Sequence, residues 1–171
     1  MHKHVRLTGK DFSETNRVAE LMKNIDNIDT VYASRVSDEI FRYQPFFLSA
    51  LLGLGYDLPS QEVDEIAKIY FLIWEFFKDN PGVKSVKVTE SSFMSRSMKN
   101  AGMFNYVDKE KDKSIINEIY VTDLQKIKSK ALLTGIILRF NTRPVLRSMN
   151  IQNKGIIMIG IKSFIECFEE L

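Results

Sequence analysis

Apolar residues return along this chain at helical spacing over most of its length. Val18, Leu21, Met22 and Ile25 lie on one face of a helix that is predicted to open at Asp11–Glu14 and run to about Asn27. Asp11 or Ser13 suits its cap, and Glu14 suits its first turn. A second helix is predicted from Ser34 or Ser37 to Leu52, with Val36, Ile40, Phe41, Phe47, Leu48, Leu51 and Leu52 as its apolar positions. Pro45 falls inside that pattern. It has no backbone donor, so it should kink the helix or divide it. Gly53–Asp57 ends the segment, with a glycine available for a left-handed terminal position.

The third helix carries the strongest signal. Pro59 and Ser60 precede Gln61-Glu62-Val63-Asp64-Glu65, an acidic first turn favoured by the helix dipole. From Ile66 to Phe77 the pattern is apolar on nearly every side, and a helix of that kind is buried all round. The segment at about residues 60–78 is therefore expected to be the central helix. Asp79-Asn80-Pro81-Gly82 stops it.

Beyond that turn the periodicity weakens. Residues 83–88 read as a loop or one extended segment. A short helix from Thr89 to Ala101 follows, ended by Gly102. The run Asp108–Lys113 is charged and balanced, which predicts an exposed turn. A helical stretch then covers Ser114 to Phe140, with a break suggested at Thr122–Asp123, and Asn141–Pro144 interrupts the pattern. The last segments are Pro144–Met149 and a helix from Lys154 or Gly155 to Glu170. Ile156–Ile161 is rich enough in β-branched residues for a strand. A lone strand would have no partner here, so helix is the better reading. The expectation is one all-α domain over residues 11–171, with about six or seven helices around the central one, after a flexible tail of residues 1–10.

Composition narrows the class. A chain of 171 residues with 44% hydrophobic side chains can bury a core without disulfides. The single cysteine, Cys167, lies among Phe164, Ile165 and Phe168 and reads as a buried thiol. The longest uninterrupted apolar run, Ile69–Trp74, is far short of the ~20 residues that span a bilayer. No membrane association is expected. The polar N-terminus lacks the apolar run of a secretory leader, so a cytoplasmic protein is expected.

Charge is distributed unevenly. Residues 11–80 carry 6 basic and 13 acidic side chains, whereas residues 83–154 carry 14 basic and 6 acidic. The two halves either attract each other within the fold or face different partners.

The residue types exclude several chemistries. The only histidines are His2 and His4 in the expected tail, so neither a Ser-His-Asp centre nor a Cys/His zinc site is expected. No cofactor is expected. Glu62–Glu65 and Glu166–Glu169 have helical spacing that suits a divalent cation, but acids also favour such helix ends without any metal. Glu75 stands between Trp74 and Phe76 in the most buried segment. It either reaches solvent through a gap, pairs with Arg42 or Arg139, or serves as a functional acid of raised pKa. No phosphate-loop motif is present.

The basic half offers the best functional pointer. Arg139, Arg143 and Arg147 are spaced by four, and Pro144 makes Arg143 a cap and itself the first helical residue. Outward amides beside arginines favour an anion, with Lys84, Lys87, Arg96 and Lys99 as further candidates. The alternative is that these arginines pair with the acidic first half. Lys126, Lys128 and Lys130 divide between helix faces and form no single patch. The segment Thr89–Gly102 faintly suggests a recognition helix but lacks the tight preceding turn. Two functions are therefore expected. The first is a non-enzymatic binding or protein-interaction module, in which a homodimer is one form of partnership. The alternative is a binder of anions or nucleic-acid backbone at Arg139–Arg147. A carboxylate- or metal-dependent enzyme ranks third.

Overall fold

Prolines and short polar side chains decide where the helices of this chain begin. The computed structural model describes residues 9–171, and among them are ten helices and no strand. They are α1 (Gly9–Asp26), α2 (Thr30–Tyr43), α3 (Pro45–Leu54), α4 (Ser60–Phe77), α5 (Pro81–Ser85), α6 (Glu90–Lys109), α7 (Lys113–Lys126), α8 (Lys130–Thr142), α9 (Pro144–Ser148) and α10 (Ile151–Glu169). Pro45, Pro81 and Pro144 each stand at the start of a helix, where a missing donor costs nothing. Asp29, Asn80, Thr89, Asp112 and Asn150 accept a main-chain N–H at the starts of α2, α5, α6, α7 and α10.

The all-α class expected from the sequence is present, with more helices than the six or seven predicted. Pro45 divides the second predicted helix outright into α2 and α3. Residues 83–88 are not simply extended, because Asn80 and Pro81 start the five-residue α5. The break within 114–140 lies at 127–129 rather than 122–123. There Ile127 is 1% exposed, and the Ser129 N–H donates to the Glu169 carboxylate at 2.6 Å. Gly102 does not end α6, which continues to Lys109 with no left-handed residue. Gly55 likewise keeps right-handed angles after α3. The predicted tail is corrected at its end: Gly9 and Lys10 already belong to α1, while residues 1–8, with His2 and His4, lie outside the described residues. Ile156–Ile161 is helical within α10.

The helix α4 sits at the centre. Ile66, Ile69, Leu72, Ile73 and Trp74 are all 0% exposed. Against it lies an aromatic cluster centred on Phe164 of α10, with Phe46 and Phe47 of α3, Tyr70 of α4 and Phe93 of α6. Gln44 closes the joint between α2 and α3. Its amide donates to the Val83 and Val86 carbonyls at 2.6 and 2.7 Å and accepts the Val88 N–H at 2.8 Å. One fully buried side chain thus fastens α5 and its exit to the core. Gly82 has no side chain because a Cβ would fall on the main-chain carbonyl of Leu171. No helix among the described residues is long and apolar enough to cross a membrane.

Close helix approach also depends on Gly135 of α8. A Cβ there would lie 2.9 Å from Cγ1 of Val18 and 3.1 Å from Sδ of Met22 on α1. Gly135→Ala is expected to lower stability by about 1–3 kcal/mol, against the gain that alanine normally brings to a helix. Urea unfolding measures it. A stabilised variant would show that α1 and α8 are not in contact at this point.

Candidate functional site

The arginines singled out in the sequence do not share one surface. Arg139 is 1% exposed, with its guanidinium 2.8 Å from the Asp26 carboxylate and 3.0 Å from that of Glu65. Arg143 occupies the cap before α9 and pairs with the other oxygen of Asp26. Pairing with the acidic first half is thus the arrangement found for these two. Burial alone would raise the Glu65 pKa, but Lys68 and Arg139 together hold the carboxyl below its usual value. Arg147 stays exposed with no acidic partner among the described residues, and its carbonyl accepts from the Lys154 ammonium at 3.0 Å. Arg96 pairs with Glu170. Lys87 and Lys99 are exposed, and the Lys84 ammonium lies 5.7 Å from the Tyr43 ring centroid.

Three of the four paired carboxylates are likewise engaged. Glu65 holds Lys68 and Arg139, Glu166 holds Lys162 and Asn100, and Glu169 accepts from Ser129. Among the described residues no group of three or more His, Cys, Asp or Glu side chains is placed to hold a metal ion. Cys167 is 4% exposed, and burial pushes its thiol pKa up.

Glu75 leads to a broad concavity. Its carboxylate lies 2.7 Å from the Lys78 ammonium and accepts from the Tyr32 hydroxyl, so neither Arg42 nor Arg139 is its partner. Glu75, Lys78 and Arg35 are shared by two adjoining hollows. The larger, about 920 Å³, runs along α2 from Thr30 to Tyr43. The smaller, about 510 Å³, opens between the end of α1 and the start of α2.

Aromatic and charged groups fix the walls of this cleft. Trp74 Nε1 donates to Glu39 at 3.0 Å, and the Tyr43 ring lies nearly parallel to Trp74 with centroids 6.2 Å apart. The Arg35 guanidinium stands 5.1 Å from the Tyr32 ring centroid. Burial, with the hydrogen bond to Glu75 and its charge, pushes the Tyr32 pKa up to about 12. That phenol stays protonated near neutrality and is no base. Among the described residues no imidazole or thiol lines either hollow. The arrangement offers cations, carboxylates, aromatic surface and hydrogen-bond donors.

Sequence reasoning overlooked Arg35, whose signal was its seven-residue spacing from Arg42. It also overlooked the polar network of Asn100, Asp123, Lys162 and Glu166. The signal for that network was a lysine standing inside the apolar run from Ile156 to Phe168. No protein-family model matches the chain, and neither a curated protein nor a solved structure matches it significantly.

Proposed function

We propose that this protein is a non-enzymatic interaction module that takes an acidic polypeptide segment of a protein partner in the cleft between α2 and α4. The observation that carries this reading is the pair Arg35 and Arg42. Both are exposed, both line the larger hollow, and neither has a carboxylate partner among the described residues. Seven residues on one helix place them two turns apart, roughly 10 Å along the axis. The neighbouring acids make their close contacts elsewhere: Glu39 accepts from Trp74, and Glu75 holds Lys78 and Tyr32. Asp38, exposed between the two arginines, disfavours a uniformly charged polyanion and favours carboxylates with a gap between them.

Calorimetry with a dodecapeptide carrying two spaced glutamates tests this. The expected result is saturable binding that weakens with salt and falls about tenfold or more in Arg35→Glu/Arg42→Glu. Arg147→Glu serves as the control and should leave affinity unchanged. Absence of binding by the native chain, or equal binding by the double variant, would sink the reading. Tighter binding of a DNA oligonucleotide, lost in Arg147→Glu, would replace it with the backbone-anion alternative.

A further inference from the structure

A second concavity lies between α6 and α7, away from the α2–α4 cleft, and it has a different character. It encloses about 420 Å³, within the ~300–1,000 Å³ of small-molecule sites. Met103 of α6 and Ile119 of α7 supply apolar walls. We infer that this cavity binds an amphipathic organic anion, with its hydrocarbon or aryl body between Met103 and Ile119 and its acid group between Lys99 and Lys126.

The polar floor explains why the acid group belongs at the mouth. Lys162 is 5% exposed, and its ammonium donates to Asn100 Oδ1 at 2.5 Å and Glu166 Oε1 at 2.7 Å, with Asp123 Oδ2 at 3.3 Å. The Asn100 amide donates to Ser163 Oγ at 3.0 Å and Glu166 Oε2 at 2.9 Å. The Lys162 ammonium is therefore surrounded by acceptors, two of them carboxylates, and offers no free cation to an anion at the floor. Two cations lining the cavity remain uncommitted. Lys99 on α6 and Lys126 on α7 are exposed, and neither has an acid within 4.0 Å among the described residues. The two acids of the lining are engaged elsewhere: Glu118 has an interaction of its own, and Asp123 lies 3.3 Å from the Lys162 ammonium. An acid group between two exposed ammonium groups stays partly hydrated, while an apolar body displaces water from the walls. That division suits a medium-chain carboxylate or an aryl sulfonate.

Fluorescence titration of the full chain with 8-anilinonaphthalene-1-sulfonate, followed by displacement with decanoate, tests the site. Saturable one-to-one binding is expected, with displacement by decanoate but not by decanol at equal concentration. Lys99→Glu/Lys126→Glu should weaken both ligands at least tenfold. Ile119→Trp, which fills the cavity, should abolish the signal while far-ultraviolet circular dichroism and the unfolding midpoint stay unchanged. If Ile119→Trp fails to fold, the milder Ile119→Phe gives the same reading. Absence of saturable binding overturns the inference. So does binding that both the charge reversal and the cavity-filling variant leave intact, because the dye then sits elsewhere. Equal displacement by decanol overturns the role of the lysines. The Arg35→Glu/Arg42→Glu chain should bind the dye normally, which separates this site from the cleft.

Discussion

Arg139→Ala is expected to destabilise the protein by about 3–5 kcal/mol, because it removes the one cation that serves two poorly hydrated carboxylates. The Asp26 and Glu65 side chains are 25% and 15% exposed, and the guanidinium between them is 1% exposed. Truncation would leave Asp26 with Arg143 and Glu65 with Lys68, and a void where the guanidinium stood. Replacing the buried charges together should cost far less than breaking the set. Arg139→Met/Glu65→Leu is therefore expected to recover most of the loss. Urea unfolding of the single and double variants measures both, and a loss below about 1 kcal/mol in Arg139→Ala would show that the pair is not desolvated.

The same set predicts an acid dependence. The Glu65 carboxyl is held below its ordinary value of 4.5 in the folded chain. A depressed folded pKa contributes stability that is present above the unfolded value and is lost as pH falls through the folded one. The native chain should therefore lose stability below about pH 4.5, and Arg139→Ala should lose less over the same interval. Parallel acid profiles for the two chains would contradict the arrangement.

Phe164→Ala carries the other large effect, expected at about 3–5 kcal/mol. Phe164 is 0% exposed and lies at the meeting point of α3, α4, α6 and α10. Its ring stacks on Phe93 with centroids 4.3 Å apart and meets the edge of Phe47 at 4.8 Å. Removing it takes away both the transfer of a large side chain from water and the aromatic geometry, and the rigid helices around it cannot close the void. Phe164→Leu should cost clearly less, since it keeps most of the volume. Denaturant unfolding gives the two values. Near-ultraviolet circular dichroism of Tyr70 and its aromatic neighbours should weaken in the alanine variant alone. Equal losses in the two variants would mean that the ring is not a packing centre.

Much of the candidate site was illegible in one dimension for a definite reason. Glu75 stood out because a carboxylate in a run of buried aromatics demands a partner, but its partner proved to be Lys78, one turn onward, with Tyr32 from another helix. Arg139 looked like an accessible anion ligand because a stripe of arginines suggests one. Its acids lie 113 and 74 residues away, and nothing in the local pattern points to them. Lys162 is buried because three acceptors converge on it from α6, α7 and α10, and two of them, Asn100 and Asp123, are distant in sequence.

The chain's own order of residues determined the all-α class, the burial of α4 and the divisions at Pro45 and Pro144. Those outcomes rest on a 3.6-residue period, a missing amide donor and short capping side chains, all of which act within a few positions. Tertiary structure alone decided which charges neutralise one another and which stay open. An acid and a base attract according to their distance and shielding in space, and a split between an acidic and a basic half does not state which members will meet. Folding buried Arg139 and Lys162 against acids and left Arg35, Arg42, Lys99 and Lys126 at the mouths of two cavities.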